Sequence, residues 1–212
     1  MRRVKMKSVL LGFFCLALMG TLLCQQGPDP AAHAALDSLK AHAGWAQEPS
    51  SFLGIKFGEP LSAAVSECPT DYIGNHKFYA AYKTREICYE PVADFFKVNH
   101  VDNFFDVYVH EVDGKVASIT AHFPENNAAT MEEALEGKFG KPHSTKQEEV
   151  RTRMNVAYTK ISNEWFGANV VIDFESIGSQ VDEGYVTVST AAYWKFLEDK
   201  KNAQKEKLKS SF

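Results

Sequence analysis

Twenty residues from Phe104 to Phe123, FFDVYVHEVDGKVASITAHF, set two apolar-rich runs on either side of Asp113-Gly114. Asp-Gly favours a type I′ turn, because both central residues need positive φ and glycine takes that conformation at no steric cost. The stretch therefore predicts a β-hairpin. With Val112 and Lys115 closing the turn, one face carries Phe105, Val107, Val109 and Glu111 against His122, Thr120, Ser118 and Val116. The other carries Phe104, Asp106, Tyr108 and His110 against Phe123, Ala121, Ile119 and Ala117, since side chains alternate faces along a strand. In that register His110 and His122 lie on opposite faces and cannot ligate one metal. Asp106, Tyr108 and His110 share a face, which reads as solvated sheet surface or as a small polar site.

The chain opens with a basic run holding Arg2, Arg3, Lys5 and Lys7, followed by an almost wholly apolar stretch from Ser8 to Cys24. This is the pattern of a secretory signal, at the lower edge of the length that spans a membrane. Three processing outcomes compete. Cleavage after Ala34 has small residues at Ala32 and Ala34 and frees a soluble protein. Lipidation at Cys24 has the cysteine at the end of the apolar run but Leu23 before it, where a small residue is wanted. The third outcome is a retained anchor. The expected organisation is a signal over 1–34, a linker over 35–51 that need not pack, one α+β domain over 52–195, and a Lys-rich helix or tail over 196–212.

The whole chain has a net charge of −4. Removing residues 1–34 takes away four basic residues and one acidic residue, which leaves −7. An acidic chain is a poor nucleic-acid binder, so no nucleic-acid partner is expected. Two of the four cysteines lie in the leader. Cys68 and Cys88 remain, and in an exported chain they are expected to form a disulfide. Closing a loop of this length stabilises the fold by about 3 kcal/mol in the chain-entropy model.

Along the domain, Phe52 to Phe57 reads as a strand. Pro60 opens a short helix with Leu61, Ala64, Val65 and Cys68 on its apolar face. The loop between the cysteines holds Tyr72, Phe78, Tyr79 and Tyr82 among His76, Lys77, Lys83 and Arg85. It resembles a recognition surface, because Tyr and Arg dominate binding hot spots; the plainer alternative is a strand whose aromatics cover the core. Pro91 to Asn103 reads as an irregular connection. Pro124 to Gly140 is a helix, with a capping box at Thr130–Glu133 or a cap at Asn126 or Asn127, and a buried stripe of Ala128, Met131, Leu135 and Phe139. Strands are expected over Val150–Ile161, Ala168–Glu175 and Tyr185–Thr190, joined by loops, one of which presents Trp165 and Phe166. Ala191 to Leu208 closes the chain as a helix docked through Trp194 and Leu197. The expected fold is α+β, a mostly antiparallel sheet of about five to six strands with helices packed on one face.

No His-Glu-x-x-His, Gly-x-Ser-x-Gly, phosphate-cradling glycine loop or calcium loop is present, and no cofactor, metal or catalytic set is assigned. The leading expectation is an exported bacterial envelope protein, periplasmic or secreted or else a membrane-anchored lipoprotein, that binds an envelope or secreted protein. It would act as an inhibitor, an immunity-type protein or an assembly factor. Its candidate surface is Tyr72, Phe78, Tyr79, Tyr82, Trp165 and Phe166. Two alternatives are a small hydrolase of envelope polymers, with Asp106, His110 and His122 as first suspects, and a small-ligand carrier with a cavity between sheet and helix. Membrane contact is expected only through a retained anchor or a lipid at Cys24.

Overall fold

The computed structural model describes residues 45–211. The leader, with its alternatives at Cys24 and Ala34, and the first part of the linker lie outside the described residues.

A two-residue hairpin, β1 (Ser51–Phe52) with β2 (Ile55–Lys56), comes first. The single strand expected over Phe52 to Phe57 is broken because Leu53 and Gly54 take positive φ, 51° and 80°. The expected helix after Pro60 is one 3-10 turn, Leu61–Ala63. Leu61, Val65 and Cys68 are nevertheless buried, while Ala64 is exposed. Then come β3 (Ser66–Glu67), β4 (Thr70–Ile73), β5 (His76–Tyr79), β6 (Cys88–Val92), β7 (Phe95–Asn99), β8 (Asp106–Val112) and β9 (Lys115–Pro124). Helix α1 (Ala128–Phe139) separates these from β10 (Ser144–Arg151), β11 (Ala157–Phe166), β12 (Val170–Glu175) and β13 (Glu183–Thr190), and α2 (Ala191–Lys209) ends the domain.

Nine strands form one mixed sheet in the order β10-β11-β12-β13-β9-β8-β7-β6-β3, with β4–β5 a separate hairpin. Neighbours are antiparallel except β3 and β6, which run parallel. The sheet exceeds the expected five to six strands for two reasons. The segment read as irregular, Pro91 to Asn103, supplies β7 and the end of β6, paired with each other. The run read as one strand from Val150 to Ile161 is the end of β10, a turn with Asn155 at φ 62°, and the start of β11.

The helices sit on opposite faces of the sheet, which corrects the expectation of helices on one face. α1 buries Ala128, Leu135 and Phe139, with Met131 half-buried beside them, against Phe123, Trp165, Ile172, Phe174, Val186 and Val188. Burying each large apolar side chain contributes about 1.5–3 kcal/mol. No side chain caps α1; a 3-10 turn at Glu125–Asn127 leads into it. On the other face Val171 meets Phe166, Ala191 and Trp194, an apolar seat for the first turn of α2. The end of the expected linker also packs: Trp45 Nε1 donates to Phe139 O at 3.1 Å, and Glu48 Oε1 accepts from the Val170 and Asn169 N–H groups.

The central hairpin forms with its type I′ turn, Asp113 at φ 53° and Gly114 at φ 71°. Val112 pairs with Lys115 and Glu111 with Val116, as expected. A β-bulge then shifts the register, so that His110 pairs with Ser118, Val109 with Ile119 and Asp106 with His122. Ala117 is the extra residue. Its carbonyl accepts from Thr190 Oγ1 at 3.0 Å, and the same Thr190 Oγ1 caps α2 by accepting from Tyr193 N. The shift puts Val107 and Val109 on the same buried face as Ile119, Ala121 and Phe123.

Candidate functional site

The bulge decides which side chains share the second face of the sheet. Asp106, Tyr108 and His110 from β8 stand with Ser118, Thr120 and His122 from β9. His110 and His122 therefore lie on the same face, contrary to the expectation. They do not form one site. Phe95 and Tyr108 intervene, with ring centroids 5.6 Å from His110 to Phe95, 5.2 Å from Phe95 to Tyr108 and 5.6 Å from Tyr108 to His122. α2 covers His110, whose ring is 5.3 Å from Tyr193. Burial lowers its pKa, with Lys200 adding to the effect and a backbone hydrogen bond at Asp94 opposing it. Asp106 is held by Lys97, 2.5 Å away, which raises the pKa of the lysine.

Beyond α2 the face continues over β13, β12 and β11. Tyr185 stands opposite His122, Glu175 opposite Tyr185, and Ser162 opposite Glu175. Thr120 and Thr187 bond through their hydroxyls at 3.0 Å. Glu175 is engaged by Lys160 at 2.5 Å and by Ser162 Oγ at 3.0 Å. Asp173 stands opposite both Thr187 and Glu164. Desolvation first, then the charges of Glu164 and Glu175, push its pKa up to about 7. Burial, then the charges of Glu175 and Asp173, push the Tyr185 phenol up to about 12. His122 Nδ1 lies 3.7 Å from Glu183 Oε2, beside a cleft of about 310 Å³ lined by Phe105, Pro124, Gln180, Asp182 and Glu183. None of these acidic groups was singled out as a site from sequence, although Asp173 and Glu175 are visible there as a pair on one strand face.

The second feature is the hairpin between the cysteines. Cys68 and Cys88 form a disulfide, a bond that persists in oxidising, extracytoplasmic compartments. Its loop encloses β4 and β5, where Thr70 pairs with Tyr79, Asp71 with Phe78, Tyr72 with Lys77 and Ile73 with His76. Asp71 anchors the base, accepting from Tyr82 Oη at 3.2 Å and pairing with Lys83 at 2.6 Å. Lys83 and the Tyr72 backbone N–H hold the Asp71 pKa down. Tyr72, Ile73 and Tyr82 are 64, 72 and 71% exposed, whereas Phe78 and Tyr79 are half-buried.

Trp165, expected on a loop with Phe166, belongs to β11 instead. It is fully buried against α1, and its Nε1 donates to Gly140 O at 2.8 Å, so it is core and not an exposed surface. Phe166, the next residue, faces the other side, half-buried beside the seat of α2. An open cleft of about 560 Å³ lies at the hairpin end of the sheet between Glu48, Phe57, Val112, Val116, Val170 and Ala192. Of its two carboxylates, Asp113 belongs to the hairpin turn, and Glu48 is already occupied by backbone amides.

Among the described residues no group of three or more His, Cys, Asp and Glu is placed to hold a metal ion, and no helix is long and apolar enough to cross a membrane. No family model matches the chain, and no curated protein matches it. Among solved structures, a DUF4309 family protein (YjgB) from Bacillus subtilis, determined at 2.13 Å resolution, is similar over 75% of this chain and 95% of that one, with 10% sequence identity and a TM-score of 0.30. At that identity and TM-score the likeness assigns neither fold nor function.

Proposed function

We propose that this is an exported envelope protein, periplasmic, secreted or lipid-anchored, that acts as a protein-binding module of the inhibitor, immunity or assembly type. The recognition surface is the β4–β5 hairpin with the adjoining turn at Tyr82. One observation carries this: Tyr72, Ile73 and Tyr82 project largely into solvent from a hairpin tied at its base by a disulfide and by the Asp71–Lys83 pair. Tyrosines at such positions are common hot spots, and a tethered loop loses less conformational entropy on binding than a free one.

The test is a photo-crosslinking residue placed at Tyr72, with a control at Lys207 on exposed α2, in intact cells. The expected result is an adduct with one extracytoplasmic protein from position 72 alone, reduced about tenfold in a Tyr82→Ala background. No adduct, or the same adduct from position 207, would overturn the proposal. A hydrolase reading keeps one supporting observation, the pairing of Asp106 with His122 on an open part of the sheet. It predicts that His122→Ala abolishes function, and full function in that variant ends it.

A further inference from the structure

The open part of the second sheet face carries a charge imbalance that the fold itself does not neutralise. Asp106, Glu164, Asp173, Glu175 and Glu183 face Lys97 and Lys160, and both lysines are taken up by Asp106 and Glu175. Glu164 and Asp173 stand directly opposite each other on β11 and β12, and among the described residues neither forms an ion pair. Like charges in directly opposed positions destabilise a sheet. Aromatic faces accompany the carboxylates. Tyr185 lies 5.8 Å from His122, His122 5.6 Å from Tyr108, and Phe105 6.0 Å from His122 at the edge. Carboxylates interleaved with aromatic rings suit Lys and Arg side chains, through ion pairing and cation–π contact.

From these observations we infer that this strip, bounded on one side by α2, is a docking surface for a basic, extended polypeptide segment of a partner protein. The strip crosses six strands from β7 to β11, about 24 Å at the usual strand spacing. That length matches about seven residues of extended chain. Glu164 and Asp173 receive one cationic side chain at the β11–β12 end; Glu183 is already engaged by His122 and by Ser179 Oγ, and contributes negative potential beside Phe105. The retained repulsion between Glu164 and Asp173 is relieved when the cation arrives. The inference does not rest on the β4–β5 hairpin, which is a separate surface.

The experiment uses the exported protein and a labelled heptalysine peptide, with heptaglutamate as control, read by fluorescence anisotropy at low and physiological ionic strength. Saturable one-to-one binding of heptalysine is expected, weakened about tenfold or more in the Glu164→Gln/Asp173→Asn variant. Two comparisons guard the reading. Glu198→Gln/Glu206→Gln removes the same charge from α2 and is expected to leave binding unchanged, as is Tyr72→Ala in the hairpin. The Glu164→Gln/Asp173→Asn protein is expected to melt at or above the wild-type temperature, so that lost binding is not lost folding. Equal weakening by the α2 variant would show only diffuse attraction to an acidic protein and would overturn the inference, as would no binding. Self-association of the protein, abolished by the same Glu164→Gln/Asp173→Asn change, would overturn it in favour of a second copy as the occupant.

Discussion

Asp106 stands directly across the sheet from His122. The Asp113-Gly114 turn alone would have set Ala121 opposite Asp106. The difference is the single extra residue at Ala117, and it reassigns every side chain of β9 beyond the bulge, from Ser118 on, to the other face. Without the bulge, Ile119, Ala121 and Phe123 would point away from Val107 and Val109, and the apolar faces of the two strands would not coincide.

Removal of Ala117 is therefore expected to be far more damaging than loss of one small side chain. A chain lacking it must either slip its register or bury Ser118, Thr120 and His122 in the core. The expected cost exceeds about 4 kcal/mol, the range in which single changes are exceptional. Thermal unfolding followed by far-UV circular dichroism should show a non-cooperative or absent transition.

Trp165 and Tyr72 should separate stability from surface. Trp165→Ala removes a fully buried ring and its bond to Gly140 O, at a cost of about 3–5 kcal/mol. Tyr72→Ala removes a mostly exposed ring and should stay within about 0.5 kcal/mol of wild type. Chemical denaturation of the two variants measures both.

Loss of the disulfide should cost about 3 kcal/mol, since it closes a loop with a sequence separation of 20. The Cys68→Ser/Cys88→Ser protein should unfold at lower denaturant concentration. Hydrogen exchange should rise most within β4 and β5, which lie inside the loop.

Asp173 makes the stability of the domain fall as pH rises. Its pKa goes up from 3.8 to about 7 on folding, so the folded state binds the proton more tightly than the unfolded one. The penalty is complete above about pH 7 and disappears as pH falls towards 4. Asp173→Asn should remove this slope and raise stability at pH 8 by roughly 2 kcal/mol, a figure reduced from the full shift because solvent screens a partly exposed site. Melting curves of both proteins between pH 5 and 8 provide the check.

His110 acts in the opposite sense. Burial between Phe95 and α2 lowers its pKa below 6.5, and Lys200 adds to that. The stability it contributes is present above pH 6.5 and is lost as pH falls through the folded value. Acidification should loosen α2, seen as faster amide exchange over Ala191–Lys209 at pH 5 than at pH 7. His110→Phe keeps the ring packing and should suppress the difference.

Much of this protein is legible from local chemistry. The Asp113-Gly114 turn follows from φ preferences. The stripe of Ala128, Leu135 and Phe139 follows from helical periodicity, and the Cys68–Cys88 pair from there being two cysteines beyond the expected leader. The bulge was legible in principle: Val107 and Val109 carry odd numbers, as do Ile119, Ala121 and Phe123. Strands paired outward from a two-residue turn set odd against even, so both sets reach one core only if a residue is inserted. What tertiary structure alone decided is the assembly of the second face. Tyr185, Asp173 and Glu164 lie tens of residues from Asp106 and His122, and only the strand order β11-β12-β13-β9-β8 brings them side by side. Trp165 shows the same limit: its burial comes from α1 packing over β11, and the flanking sequence reads equally well as loop or as core. Periodicity reports which residues share a face of one element; which face is covered depends on contacts between elements far apart in the chain.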